Sequence, residues 1–121
     1  MIKLTEKDKE WARRIFLDNQ QYLCSDFEEA WEEGIFYGIE NVGFIRIKLD
    51  KVNVICELAV DKDHRRKGVA EQLLCYAIYP CLVATHADNL PAIKLYEKNG
   101  FLHQGEALDK FGKLLNIYKK G

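Results

Sequence analysis

Residues 58–74 read Leu58-Ala59-Val60-Asp61-Lys62-Asp63-His64-Arg65-Arg66-Lys67-Gly68-Val69-Ala70-Glu71-Gln72-Leu73-Leu74. The stretch opens on an apolar run, crosses a turn crowded with basic side chains, and enters an amphipathic segment at a glycine. That succession is a buried strand, a turn and a helix N-terminus. The first amides of a helix have no intrahelical acceptor and carry partial positive charge, so such a junction is an anion site. Gly68 and Ala70 lack bulk, which lets backbone amides approach a phosphate closely. Arg65, Arg66 and Lys67 add charge around that point. Neither G-x-x-x-x-G-K-[ST] nor G-x-G-x-x-G is present, so neither of those nucleotide loops applies. The same small residues would also suit a helix packed tightly on a sheet, and a second signal has to decide.

That signal lies one helix and one strand downstream: Asn89-Leu90-Pro91-Ala92-Ile93-Lys94-Leu95-Tyr96-Glu97-Lys98-Asn99-Gly100-Phe101. Arg65 to Ala70 resembles the Q/R-x-x-G-x-G/A pyrophosphate loop of the GNAT acetyltransferases, and Asn89 to Phe101 resembles their N-x-x-A-x-x-L-Y-x-x-x-G-F signature. The resemblance is specific over Leu58 to Phe101 and topological over the amino-terminal third. It implies an α/β domain with a GNAT-like mixed central sheet. It further implies acetyl-coenzyme A (acetyl-CoA) as co-substrate and direct transfer of the acetyl group to a primary amine. By the same resemblance, backbone groups of Leu58, Ala59 and Val60 pair with the pantetheine arm. Amides from Arg66 through Glu71, with Lys67, Gly68, Val69 and Ala70 between them, hold the pyrophosphate. Asn89 bonds the arm near the thioester, and Tyr96 presents its hydroxyl to the departing sulfur as general acid. Each of the last two has a plainer use, Asn89 as a helix cap and Tyr96 as a core aromatic.

The proton acceptor is less obvious. A lysine-type amine titrates about three units above neutral pH, so its deprotonation costs roughly 4 kcal/mol. Many relatives carry a glutamate on the strand before the asparagine signature, but that strand here is Cys81-Leu82-Val83-Ala84-Thr85-His86, with Ala84 at the expected place. Glu57 is the one charged residue in the run Asn53 to Val60, and a carboxylate in an apolar strand is costly unless paired or functional. It is expected to be the base or to bind the amine, against the alternative of a buried ion pair. His86 is second in line, with a side chain suited to proton transfer at neutral pH, against the alternative of a strand-end residue bonded to backbone. Asp26 to Glu33 holds five carboxylates and no basic residue. This segment is either an acidic wall for a cationic acceptor, such as a polyamine, an aminoglycoside, a lysine or an N-terminal amine, or a solvated helix face.

Outward from the two motifs, the elements follow in quick succession. Ile2 to Leu4 suits a short strand, and Thr5 with Asp8 starts a helix whose apolar face is Trp11, Ala12, Ile15 and Phe16. Ser25 with Glu28 makes a capping box for a second helix ended by Gly34. Ile35–Ile39, Gly43–Leu49 and Asn53–Val60 read as strands, the second with one wet face because Arg46 and Lys48 alternate with apolar residues. Gly68–Tyr79 reads as a helix stopped by Pro80, with Val69, Leu73, Leu74, Ala77 and Ile78 as its buried stripe. Cys81–Thr85 follows as a strand, then a helix between Asn89 and Gly100. Phe101–Glu106 and Lys113–Lys119 close the chain. The order is β-α-α-β-β-β-α-β-α-β-β.

The 121 residues allow one domain, 1–121, with a single core. A formal net charge of −1 argues against nucleic acid as a partner, including RNA as an acceptor, and against an anionic membrane. No apolar run approaches the roughly 20 residues that span a bilayer, and the charged amino terminus has no signal core, so a cytoplasmic location is expected. Cys24, Cys56, Cys75 and Cys81 form no C-x-x-C pair; we expect reduced thiols and no metal. The sequence leaves a homodimer open. A rival from another class is a non-catalytic acyl-CoA-binding module, favoured by Ala84 and opposed by Asn89 and Tyr96.

Overall fold

The computed structural model describes residues 2–23 and 26–121. Its elements are β1 (Ile2–Lys3), α1 (Lys9–Asp18), α2 (Phe27–Glu33), β2 (Ile35–Ile39), β3 (Gly43–Lys48), β4 (Asn53–Val60), α3 (Val69–Leu74), β5 (Cys81–His86), α4 (Leu90–Lys98), β6 (Leu102–Leu108) and β7 (Leu114–Lys120). The expected order holds. The seven strands form one sheet in the order β1-β2-β3-β4-β5-β7-β6. Only β4 and β5 pair in parallel; every other neighbouring pair is antiparallel. β4 sits centrally, as a strand apolar on both faces should.

Alternation along the strands sends apolar residues to two cores. Phe36, Phe44 and Ala59 meet Ala12, Phe16 and Phe27 of α1 and α2 on one face. Ile45, Ile47, Ile55 and Val83 meet Val69, Leu73 and Tyr96 of α3 and α4 on the other. At the start of α1, the Asp8 carboxylate accepts from the Thr5 amide at 2.9 Å and the Trp11 indole N–H at 3.0 Å. The capping box assigned to Ser25 lies outside the described residues; Asp26 caps α2 by accepting from the Glu29 amide.

Two expectations need correction. α3 ends at Leu74, well short of Tyr79, because Cys75, Tyr76 and Ala77 donate to Gln72, Leu73 and Leu74, three residues back, and the chain tightens into turns. Ala77 stays buried, but Ile78 is 51% exposed. The expected wet face of β3 is wet only at Lys48: Phe44 on that face packs under α1 and α2, and Arg46 is buried opposite Glu57. Among the described residues, no helix is long and apolar enough to cross a membrane, and no three His, Cys, Asp or Glu gather to hold a metal. Cys56, Cys75 and Cys81 are free thiols, and Cys24 lies outside the described residues.

Candidate active site

β4 and β5 pair only from Asn53–Cys81 to Ile55–Val83. Beyond that point β4 stays with β3, while Ala84, Thr85 and His86 keep only the pairing with β7 that runs the length of β5, opposite Ile117, Asn116 and Leu115. The ladder between β3 and β4 slips by one residue at the same level, leaving Cys56 as a bulge. Bulges bend the strand that carries them. The parted strands leave one edge of β4 unpaired over a cleft of about 630 Å³. Leu58, Val60, Val83, Ala84 and Thr85 line it from the sheet, and Asn89 and Tyr96 from α4.

At the other end, the cleft reaches the basic turn, where Arg65, Arg66, Gly68, Val69, Ala70 and Glu71 all line it. Arg66 and Gly68 both adopt left-handed backbone, with φ of 63° and 76°, a conformation glycine takes freely and arginine rarely. The amides that open α3 find no acceptor in their own helix. Asp61 anchors the turn. Its carboxylate accepts from Arg14 Nη1 at 2.7 Å, His64 Nδ1 at 2.9 Å and the Asp63 amide at 3.2 Å, and its own amide donates to Val42. Those donors, Arg14 first and His64 second, hold the Asp61 carboxyl down at about 2. Arg65 Nη2 donates to Asn19 Oδ1 at 2.9 Å, so this guanidinium clasps the end of α1. Lys67 is exposed outside the cleft, and Ala59 turns into the core beneath α1 and α2.

Tyr96 is 4% exposed, with its ring edge-on to Phe101 at 5.3 Å. Burial first, and then Cys81 nearby, push its phenol above the ordinary tyrosine range, which keeps the proton on the oxygen. Asn89 caps α4 by accepting from the Ala92 amide at 3.5 Å while also lining the cleft. Both of its proposed uses are therefore compatible.

Glu57 lines the cleft floor where the strands part. Both of its oxygens accept from Arg46: Oε2 from Nε, and Oε1 from Nη2 at 2.9 Å. The buried ion pair is real, and Arg46 is the partner that strand periodicity had placed in water. His86 does not line the cleft. Its Nε2 bonds Asp109 Oδ2 at 3.1 Å, and Asp109 also accepts from the Phe111 and Lys113 amides, so His86 secures the β6–β7 turn. No described residue of α2 lines the cleft; Glu28 pairs with Arg13 and Lys9 instead. The acidic helix is a solvated face. Sequence reading also missed Asn19, Tyr22 and Leu23 on the cleft wall, which no motif marks.

The sequence profile of the acetyltransferase (GNAT) domain matches residues 32–102. N-alpha-acetyltransferase 30 of Xenopus laevis is 33% identical over 113 residues, covering 82% of this chain and 38% of that protein. The chain thus spans well under half the length of this curated relative. NAA60 of Arabidopsis thaliana, solved in complex with acetyl-CoA, superposes with a TM-score of 0.77 at 16% identity, covering 98% of this chain and 95% of that one. The ribosomal-protein-alanine N-acetyltransferase of Brucella melitensis does so with 0.74 at 20% identity, covering 98% and 96%. These structures share the fold. With the profile spanning more than half of the residues and both motifs seated on a parted sheet, the chain belongs to the GNAT acetyltransferase family.

Proposed function

We propose that this chain transfers an acetyl group from acetyl-CoA to a primary amine, and that the acceptor is the α-amino group of a peptide. The observation that carries the reading is the unpaired edge of β4, continuous through one cleft with the left-handed turn at Arg66 to Gly68. An extended pantetheine arm can complete that edge as a further strand does, with its pyrophosphate at the opening amides of α3. The similarity to an N-alpha-acetyltransferase and to a structure holding acetyl-CoA supports both halves.

The site's chemistry favours the α-amine over a lysine or polyamine. An α-amino group titrates near 7.7–8.0, so at neutral pH its deprotonation costs about 1 kcal/mol rather than roughly 4. Ala84 offers no carboxylate, and both Glu57 oxygens already accept from Arg46. Such a floor can hold an amine by a remaining lone pair but is a poor general base. Glu57 therefore binds and orients the acceptor. The amine nitrogen attacks the thioester carbonyl carbon, a C–N bond forms, the C–S bond breaks, and the sulfur leaves as thiolate. Tyr96 donates a hydrogen bond to that sulfur. A thiol is more acidic than this phenol, so complete transfer from Tyr96 runs uphill unless the proton shed by the amine, through water, replaces it. Asn89 steadies the arm beside the thioester.

The test is an acceptor panel: peptides with a free α-amine, the same peptides α-blocked but bearing lysine, a polyamine and an aminoglycoside. Thiol release and product mass are read together. We expect acetyl on the α-nitrogen. Turnover confined to the blocked peptides or polyamine would refute the acceptor, and thiol release with none of them would leave an acyl-CoA-binding module.

A further inference from the structure

Arg46 of β3 and Glu57 of β4 have side chains only 5% and 1% exposed, and two guanidinium nitrogens meet the two carboxylate oxygens. Taking such charges out of water costs several kcal/mol per ion, and well-packed apolar residues of similar volume often serve stability as well or better. Stability alone gives little reason for the pair. Its position gives a better one. Glu57 lines the cleft beside the Cys56 bulge, whereas Arg46 does not line it and holds Glu57 from the neighbouring strand.

Room for the arginine comes from Gly34, at the end of α2. Its backbone is extended, with φ −140° and ψ 179°, which any residue can adopt. A Cβ there would stand 2.6 Å from Cγ and 2.7 Å from Cδ of Arg46. Glycine is needed at this position for closeness to the arginine stem, and the backbone itself makes no such demand.

We propose that Arg46, admitted by Gly34, is a positioning residue for acetyl transfer: its planar fork fixes the Glu57 carboxylate in the orientation that receives the acceptor nitrogen. The inference rests on the transferase reading above. Glu33 and the Cys56 thiol also act on the Arg46 charge, and Lys48 acts on Cys56.

The experiment combines steady-state kinetics with melting temperatures for Arg46→Lys, Gly34→Ala and the double variant Arg46→Met/Glu57→Gln. Arg46→Lys keeps the charge and loses the fork. Its kcat should fall about tenfold or more while the KM for acetyl-CoA stays within about twofold of wild type. Gly34→Ala touches no cleft residue yet should lower kcat in the same direction. The double variant removes both charges, so its melting temperature should return towards wild type while kcat stays down about 10²-fold. Recovery of kcat together with melting temperature would show a pair that serves stability alone and would overturn the inference. So would an Arg46→Lys protein that turns over like wild type. A wild-type chain that acetylates no amine defeats the transferase reading itself and this inference with it, a result distinct from an active wild type with indifferent variants.

Discussion

At the basic-turn end of the cleft much of the lining comes from one stretch, His64 to Glu71, with Lys67 outside it, and the turn is held in shape by Asp61 and by the left-handed Arg66 and Gly68. At the end where the strands part, the wall is assembled from β4, β5 and α4, and its Glu57 is held by Arg46 of β3, which does not itself line the cleft. On the proposed function, the first end offers backbone amides to the phosphates and the second offers side chains to the reacting groups. A backbone site should tolerate exchange of exposed side chains but not a new charge or a changed backbone. A side-chain site should lose chemistry when one functional group is removed, while keeping its shape and its affinity for the cofactor.

The largest effect expected from this contrast is at Gly68. A Cβ there meets nothing within 4 Å, so the first carbon of a side chain at this position brings no clash. Gly68→Asp brings charge against phosphate, plus about 1–2 kcal/mol of left-handed strain. Acetyl-CoA at a thousand times its dissociation constant should stabilise the wild type by about 4 kcal/mol. The melting temperature of Gly68→Asp should ignore it, whereas Gly68→Ala should keep most of the shift. A full shift in the aspartate variant would move the phosphates elsewhere.

Tyr96→Phe comes next. Turnover should fall about 10²-fold or more with acetyl-CoA affinity unchanged, measured by single-turnover kinetics and by calorimetry. If affinity and turnover drop together, Tyr96 belongs to the core and the two ends are not separable.

Asp61→Asn tests what shapes the backbone end. The folded protein holds the Asp61 carboxyl at about 2, against an ordinary 3.8. The unfolded chain therefore binds the proton more readily, and stability from this group is complete above about pH 4 and lost as pH falls towards 2. The gap in melting temperature between wild type and Asp61→Asn should be widest near neutrality and close along that limb. A gap independent of pH would remove the ion pairs as its cause. Other depressed carboxyls, Asp8, Glu28 and Asp109, are common to both proteins and cancel in the difference.

The smallest effect on chemistry is expected for His86→Ala. Loss of its bond to Asp109 should lower the melting temperature through the β6–β7 turn and leave kcat/KM with a short peptide unchanged. A large drop in kcat at constant stability would return His86 to the proton path.

Much of the fold was readable before any coordinates. Ile35–Ile39 and Asn53–Val60 occupy the expected residues, and Gly100 takes the left-handed backbone that ends α4. The basic turn was equally readable, since Gly68 and the amides beside it act over a few positions. One failure was local, the early end of α3, where bonds three residues back tighten the chain after Leu74; the others came from a neighbour remote in sequence. Alternation along β3 was correct, yet it could not say that Arg46 on the polar side would be buried against Glu57 while Lys48 stayed exposed.

What the sequence determined by itself is therefore local: element order, most helix ends, and a glycine-bearing basic turn written in one stretch of residues. Those features depend on propensity, capping and glycine conformation, which act across a single turn. Which side chains meet was decided only by the tertiary structure. Glu57 finds Arg46 11 residues away, His86 finds Asp109 across 23, and Asp61 finds Arg14 across 47. One-dimensional periodicity records the face a residue points to. It carries no register between strands, and register brings such partners together.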